Sequence, residues 1–215
     1  MNIKWLGHSC FVLTESTGTV IVTDPYGKEV GFAMPSITAD AVTVSHQHFD
    51  HCNVKAVSGS PKVLDSVGSY EINGVHIVSF LTYHDEEHGA KRGENNVFNY
   101  RLDGVDVCHL GDIGQPCSAR ICDAIGSVNV LLIPVGGHYT IDADTAKDYV
   151  DKIMPDIVIP MHYKTDDCVI DIDEIDAFLD LFDEEDITYV DGDSLDLDRT
   201  QFDGDYSTKV IVFRR

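Results

Sequence analysis

The amino-acid sequence predicts an α+β fold in which a largely antiparallel system of sheets is covered by helices. Three observations support this class: strands follow one another in the N-terminal segment, later strands alternate with helical segments, and polar clusters stand where strands end. A chain of 215 residues with 43% hydrophobic content is long enough to bury a core. We therefore expect one domain over residues 1–215.

Strands are predicted where apolar residues alternate or form short runs between turn residues. Residues 2–6, 9–15 and 18–25 form the first three, with Gly18 in the second turn, and residues 41–45 (AVTVS) lead directly into a histidine cluster. Further strands are predicted at residues 75–80, 96–102, 105–110, 128–135, 156–160, 187–190 and 207–213.

Three helices are predicted from apolar periodicity and from N-cap residues. The first covers residues 116–125, and Asp142 is the expected N-cap of the second, at residues 143–154. Asp173 is the expected N-cap of the third, whose apolar stripe consists of Ile175, Phe178, Leu179 and Phe182.

The formal net charge of -22 disfavours binding to nucleic acid or to an anionic membrane surface. The acidic residues are concentrated in residues 166–186 and 189–205, where a solvated face is expected. The first residues lack the pattern of a secretory signal, and no stretch approaches the ~20 apolar residues of a membrane span. We expect a cytoplasmic protein.

Six cysteines are scattered without a CxxC pair: Cys10, Cys52, Cys108, Cys117, Cys122 and Cys168. Without an export signal they are expected to be reduced packing thiols, and this includes the nearest pair, Cys117 and Cys122.

The candidate functional residues begin with the stretch His46-Gln47-His48-Phe49-Asp50-His51. Neutral imidazoles and a carboxylate suit zinc, manganese or iron(II). Residues 46 and 48 alternate on an extended segment and so point the same way, whereas residues 50 and 51 turn towards a second point. One loop cannot complete the coordination of two metals, so further donors must come from elsewhere.

Other strand ends supply those donors: His84 in LTYHDEEH, Asp112 in HLGDIG and His162 in IPMHYKT. If the strands run in the same direction, these side chains gather along one edge of a sheet. An aspartate between two cations can bridge them, and two close metals can hold a shared hydroxide at neutral pH. The pattern therefore predicts a hydrolytic site.

These residues resemble the metallo-β-lactamase-fold metal-dependent hydrolases. The H-x-H-x-D-H signature is intact at residues 46–51, and His84, Asp112 and His162 follow in the family's order. The segments WLGHSCFVL, HLGDIG, PVGGHYTIDADTA and PMHYKT are most similar to the small stand-alone branch that includes ascorbate-6-phosphate lactonase. The resemblance implies a four-layer αββα sandwich with metals at one edge of two sheets, and association into homo-oligomers.

The resemblance also implies two divalent metal ions, Zn²⁺ in the first place, with Mn²⁺ and Fe²⁺ as alternatives, and a small-molecule substrate. One ion would be held by His46, His48 and His84, the other by Asp50, His51 and His162, with Asp112 between them. Asp50 would also orient the hydroxide and shuttle a proton.

Two interpretations remain open for each of three residues outside the proposed ligand set. Asp24 is expected to hydrogen-bond a ligand histidine, or to be a turn residue before Pro25. His8 is expected to line the site or to be a core histidine. His138, after Gly136 and Gly137, is expected to help catalysis by holding substrate or an oxyanion, or to be structural.

The remaining candidates are weaker. His88 competes with His84, which is preferred because it directly leaves a strand. His109 is expected to be buried beside the site and His76 to have only a packing role, and Tyr163 and Lys164 to touch an anionic substrate or lie on the surface. Residues 85–96, with Lys91 and Arg92, form either a substrate-facing loop or a solvated hairpin connection.

The leading hypothesis is a dinuclear metal-dependent hydrolase of an ester, lactone or phosphodiester. One alternative is a metal-binding or sensing protein of the same fold without turnover. The other is a di-iron redox enzyme, and Gln47 argues against it because those relatives use Glu at this position.

Overall fold

The computed structural model describes residues 1–204 and 207–214. Its strands are β1 (Asn2–Gly7), β2 (Cys10–Thr14), β3 (Val20–Thr23), β4 (Ile37–Thr38), β5 (Ala41–Thr43), β6 (Val57–Ser58), β7 (Lys62–Leu64), β8 (Gly68–Ile72), β9 (Val75–Tyr83), β10 (Glu94–Leu102), β11 (Val105–His109), β12 (Val130–Pro134), β13 (Ile157–Met161), β14 (Ile187–Asp191), β15 (Ser194–Asp196) and β16 (Lys209–Arg214). Its α-helices are α1 (Ala119–Ile125), α2 (Ala143–Ile153) and α3 (Asp176–Leu179).

Two large sheets contain nearly all of these strands. The first has six strands in the order β15-β1-β2-β3-β5-β7, and the second has eight in the order β14-β16-β13-β12-β11-β10-β9-β8. In the second sheet β8 to β11 are antiparallel neighbours, whereas β11, β12, β13, β16 and β14 pair in parallel. The expectation of a largely antiparallel system is therefore wrong, because α1 and α2 form crossovers that return the chain in the same direction.

The helices begin where local chemistry places them, with one exception. Ser118 caps α1 and Asp142 caps α2, each by accepting a hydrogen bond from a backbone N–H of the first turn. The predicted cap of the third helix is wrong: α3 is a single turn without a side-chain cap, and Asp173 lies three residues before it. The Asp173 carboxylate lies near His138 instead.

The main hydrophobic core lies between the two sheets. Trp5, Phe11 and Leu13 of the first sheet pack in one cluster with residues of the second sheet and with the buried faces of the helices. A second cluster covers the other face of the first sheet. The α+β sandwich is confirmed, but in the described part of the chain this outer layer contains 3-10 turns at Lys28–Val30 and Val54–Ala56 in place of an α-helix.

Strand direction places several chain exits at one edge. Strands β11, β12 and β13 are parallel, and β9 has the same direction because two antiparallel steps through β10 separate it from β11. Their carboxyl ends therefore lie on the same side of the sheet. The condition on which the sequence-based site depended is met.

Besides the two-residue strands β4 and β6, the sequence patterns missed β7, β8 and β15. Strand β8 joins β9 through Asn73 and Gly74, both with positive φ, and this dipeptide is typical of a two-residue hairpin turn. Strand β15 adds to β1 from the far end of the chain, which local patterns do not reveal.

Two further expectations concern cysteines and the surface. The expectation that all cysteines are reduced is wrong for one pair, since a disulfide joins Cys117 and Cys122. Most acidic side chains of residues 166–186 are exposed, and the last residue of the second acidic segment, Asp205, lies outside the described residues. No helix in the described ranges is long and apolar enough to cross a membrane.

Candidate metal centre

Four strand ends converge on one cluster. Strand β5 leads to His46, β9 to His84, β11 to Asp112 and β13 to His162. These four side chains are buried, whereas His48 is exposed. Residues that are distant in the sequence thus meet at the edge predicted for them.

The loop after β5 turns between His48 and His51, as the sequence predicts. The His51 backbone N–H donates to the His48 carbonyl at 3.0 Å, which closes a tight turn. His46 and His48 therefore face His84, and Asp50 and His51 face His162.

Asp24 fixes the orientation of this loop. Its carboxylate is buried and accepts from the Ser45 backbone N–H at 2.7 Å and from the Ser45 hydroxyl at 2.5 Å. Its Oδ2 also lies 2.9 Å from His51 Nδ1. Burial opposes its ionisation, but the His51 hydrogen bond and the nearby His109, His51 and His46 rings together lower the pKa of Asp24. An ionised Asp24 keeps the His51 proton on Nδ1 and leaves Nε2 free for a metal.

Two groups of potential ligands lie side by side. His46, His48 and His84 bring ligand atoms within 4.8 Å of one another. The second group obeys the same limit and consists of His8, Asp50, His51 and His162. The structure thus brings together all the residues of each predicted set and adds His8 to the second.

Asp112 lies between the groups. Its Oδ2 is 3.1 Å from Nε2 of both His51 and His162, 3.3 Å from Nε2 of His84 and 3.8 Å from Nε2 of His46. A carboxylate so placed can reach cations held by either group. Its assignment as a bridge stays a prediction.

The unpaired atoms of this cluster fit metal ions. Among the buried atoms without a hydrogen-bond partner in the described residues are His46 Nε2, His51 Nε2 and Asp112 Oδ1. His84 Nδ1 and His162 Nδ1 are also unpaired, but the Nε2 atoms of these two rings are the ones that face Asp112. Buried polar atoms are rarely left unpaired, so their concentration here indicates a missing partner that accepts lone pairs. Imidazole nitrogens and carboxylate oxygens are donors that Zn²⁺, Mn²⁺ and Fe²⁺ accept.

The charge states agree with this donor set. Burial, together with the nearby His51, lowers the pKa of His46 to about 3, so its imidazole is neutral at pH 7. Burial opposes ionisation of Asp112, but the adjacent His162 and His51 hold its pKa well below the ordinary value. His51 is the exception: burial opposes its charge, but the carboxylates of Asp112, Asp24 and Asp50 raise its pKa, so a metal ion at Nε2 would displace a proton.

His8 supports Asp50. His8 Nε2 lies 3.1 Å from Asp50 Oδ2, and its ring packs on the His162 ring with centroids 4.2 Å apart. Burial and the neighbouring His162 lower the pKa of His8 to about 4. Of the two interpretations of His8, the geometry favours the one that places it in the site.

Sequence reasoning missed the residue that positions Asp112. Asn95 is fully buried and accepts from the Asp112 backbone N–H at 2.9 Å, while its amide donates to Thr82 and to the Leu110 carbonyl. Gly111 has a φ of 57°, and a Cβ there would lie 2.6 Å from Ser45 Cβ. The glycine of HLGDIG is thus required by close packing, which is a signal present in the sequence.

A cavity of about 370 Å³ opens over the metal centre. Its floor contains His48, Asp50, His84, Asp112 and His162. Its walls are Phe49, Arg92, Tyr139 and Ile170. The wall residues Phe49, Tyr139 and Ile170 were not among the predicted site residues, because no local pattern marks them.

Asp85 organises the loop that contributes Arg92. Its carboxylate accepts four backbone hydrogen bonds, from Glu87 at 2.8 Å, Gly89 at 2.9 Å, Lys91 at 2.9 Å and Arg92 at 2.7 Å. Burial opposes ionisation of Asp85, but these donors lower its pKa to about 2. Residues 85–93 are therefore an ordered part of the cavity rim.

His138 is not among the residues lining this cavity. Its backbone has a positive φ, its Nε2 lies 3.4 Å from Asp173 Oδ1, and its carbonyl accepts from Arg92. The structure thus does not bring the His138 ring to the metal centre, although Tyr139 beside it does line the cavity. A catalytic role for His138 stays a prediction.

The competing histidines have other surroundings. His88 is exposed, and its ring meets the edge of Tyr83 outside both ligand groups. His109 is buried and hydrogen-bonded to the Ser9 carbonyl and the Gly111 N–H, as expected for a structural residue. The expected packing role of His76 is wrong, since its side chain is 65% exposed.

Neither residue after His162 reaches the cavity. Tyr163 is buried and stacks on Trp5, with ring centroids 5.6 Å apart. Lys164 Nζ donates to the Ile170 carbonyl at 2.7 Å and so holds the loop that carries Ile170.

Comparisons with known proteins agree with this architecture. A family model, the beta-lactamase superfamily domain, matches residues 2–162. A UPF0173 metal-dependent hydrolase of Thermoplasma acidophilum is 28% identical over 195 residues, covering 79% of this chain and 86% of the relative. A UPF0173 protein of Pyrococcus furiosus is 32% identical over 189 residues, covering 77% and 84%. A solved structure from Thermotoga maritima, assigned to the Zn-dependent hydrolases of the metallo-β-lactamase superfamily, is 40% identical, covers 99% of this chain and 97% of its own, and has a TM-score of 0.80.

Proposed function

Since this chain belongs to the metallo-β-lactamase superfamily and is a metal-dependent hydrolase, we propose that it holds two divalent ions and hydrolyses a small-molecule ester, lactone or phosphodiester. The observation that carries the proposal is the pair of ligand groups that meet at Asp112, with unpaired buried donor atoms in both. A single ion would leave one of these groups unsatisfied.

The residues fit Zn²⁺, and Mn²⁺ or Fe²⁺ would accept the same donors. His46, His48 and His84 would hold one ion and Asp50, His51 and His162 the other, with Asp112 in contact with both. When bound, such ions supply Lewis acidity, which polarises a scissile carbonyl or phosphoryl oxygen and activates water.

Asp50 orients the reacting groups. Burial opposes its ionisation, yet the adjacent His51 and the hydrogen bond to His8 keep the pKa of Asp50 below its ordinary value. Asp50 is therefore ionised at neutral pH and accepts a hydrogen bond more readily than a full proton. His8 Nε2, at 3.1 Å, fixes which way the Asp50 carboxylate faces.

The substrate is a small molecule in this proposal because the cavity has the volume of a small-ligand site. The net charge of -22 argues against nucleic acid and anionic membranes as partners. A cytoplasmic location and a homo-oligomeric state are part of the same proposal.

The test combines metal content with turnover. Purified protein is loaded with Zn²⁺ or Mn²⁺, its metal content is measured by elemental analysis, and it is assayed on lactones, phosphodiesters and thioesters. We expect two ions per chain and hydrolysis, and we expect His48→Ala and Asp112→Ala to abolish hydrolysis while leaving the fold intact. His76→Ala is the matched control, since it removes an exposed histidine far from the ligand groups.

Four results would contradict the proposal. Binding of less than one ion per chain, or full activity in both variants, would exclude the dinuclear mechanism. Two bound ions without turnover would favour the sensor, and bound iron with consumption of oxygen would favour the redox enzyme.

A further inference from the structure

Arg92 carries a charge that the protein does not neutralise. The chain has 15 Lys and Arg against 37 Asp and Glu, and the adjacent Lys91 pairs with Glu87 at 2.6 Å. Arg92 forms no ion pair with any carboxylate of the described residues, and its one side-chain hydrogen bond, from Nη2, goes to the His138 carbonyl at 3.0 Å. Its remaining N–H donors are available to a ligand.

The position of Arg92 is set by the backbone. The Arg92 N–H donates to Asp85, and the loop closes at its base where the His84 N–H donates to the Gly93 carbonyl at 3.0 Å. The guanidinium lies 5.6 Å from the centroid of the Tyr139 ring, which limits its side-chain freedom. Because the loop starts at His84, a candidate metal ligand, the position of the Arg92 guanidinium relative to the metal centre is fixed.

The rest of the cavity wall is apolar. Phe49 and Tyr139 are 57% and 41% exposed, and Ile170 completes the wall. Exposed aromatic rings beside an unpaired cation suit a ligand that has an apolar body and an anionic end.

We propose that Arg92 is a specificity-determining residue that binds a carboxylate group of the substrate, while Phe49, Tyr139 and Ile170 contact an adjacent apolar part and the scissile bond lies at the metal centre. The planar guanidinium matches a carboxylate in geometry. Arg92 is the one Lys or Arg among the described residues that line the cavity, so it balances a monoanion, whereas a phosphate dianion would keep one charge uncompensated by it.

This inference rests on the proposed hydrolase function, and its kinetic test uses two matched esters. 4-Nitrophenyl hexanoate is neutral. The mono-4-nitrophenyl ester of adipic acid has the same acyl chain length but carries a carboxylate in place of the terminal methyl group. We expect the zinc-loaded wild type to prefer the adipate ester in kcat/KM. Arg92→Ala should lose roughly 10- to 100-fold on that ester, mainly through KM, and a clearly smaller factor on the hexanoate ester. Lys91→Ala, which removes the neighbouring cation, should keep the preference.

A binding measurement separates this inference from the function. Calorimetry with the zinc-loaded chain compares 3-phenylpropanoate, 3-phenylpropan-1-ol and 2-phenylethyl phosphate. We expect 3-phenylpropanoate to bind most tightly and only in proteins that retain Arg92. Arg92-dependent binding without turnover of any ester would support the inference and refute the hydrolase proposal.

Two outcomes would overturn the inference. One is an equal effect of Arg92→Ala on charged and neutral compounds, or the same effect from Lys91→Ala, since either would indicate general electrostatics or a structural role. The other is an Arg92-dependent preference for the phosphate over the carboxylate.

Discussion

The substitution Asp24→Asn tests how a residue that touches no metal sets metal affinity. In the wild type, Asp24 Oδ1 accepts from the Ser45 N–H, and Oδ2 accepts from the Ser45 hydroxyl and pairs with His51 Nδ1. An asparagine keeps one acceptor oxygen. That oxygen remains towards the Ser45 N–H, because an amide NH₂ placed there would face another donor at 2.7 Å.

The new NH₂ group then faces Ser45 and His51. The Ser45 hydroxyl can rotate so that its oxygen accepts from this NH₂ group while its hydrogen is donated to His46 Nδ1, which lies 2.9 Å away. His51 can accept only by moving its proton from Nδ1 to Nε2, the atom that would bind metal. We expect the affinity for one of the two ions to fall by roughly 10- to 100-fold, or about 1.4 to 2.8 kcal/mol, while the ion at His46, His48 and His84 is little affected.

The assay is a Zn²⁺ titration of the metal-free protein against a competing chromophoric chelator. Asp40→Asn is the matched control, because Asp40 is exposed and accepts a backbone hydrogen bond from Val20 far from the site. Unchanged affinity for both ions, or an equal loss at both in a folded variant, would refute the tautomer argument.

Two further predictions concern the supports of the site. Gly111→Ala should lower the free energy of unfolding by roughly 2 to 4 kcal/mol in urea titrations, because of its positive φ and its contact with Ser45. Gly74 also has a positive φ but has open space around it, so Gly74→Ala should lower the free energy of unfolding by less. Equal losses in the two variants would contradict the packing argument. The pKa of Asp85 in the folded protein is about 2, which is below the ordinary carboxylate value. Its ionised form therefore stabilises the fold above about pH 4, and this stabilisation disappears as the pH falls towards 2. The melting temperature of the wild type should accordingly exceed that of Asp85→Asn at pH 7 and converge with it at low pH, whereas a constant difference would assign the effect to packing.

The clustering of the candidate metal ligands could be predicted from sequence because its determinants are local. The spacing of residues 46–51 and the position of His84, Asp112 and His162 after apolar runs both depend on strand periodicity, which is visible in the chain. The preference for His84 over His88 agrees with its burial beside Asp112. The family and the sandwich followed from the same motifs and are confirmed.

The supports and the walls could not be predicted because they depend on tertiary neighbours. Asn95 acts through a backbone N–H seventeen residues away, and Asp85 acts through four amides whose directions depend on loop conformation. Asp173 has the composition of a helix cap but lies beside His138. The parallel pairing of β11, β12 and β13 likewise follows from crossovers that alternation along a strand does not encode.

The loop held by Asp85 has a consequence for evolution and for engineering. Its four bonds use main-chain amides, which every amino acid except proline possesses. The side chains at positions 86, 87, 90 and 91 can therefore be exchanged without moving the backbone beside the candidate metal centre, whereas His88 has a φ of 56° that restricts its replacements. A library randomised at these positions, with proline omitted at 87, 90 and 91, should therefore keep both the metal centre and the position of Arg92 unchanged.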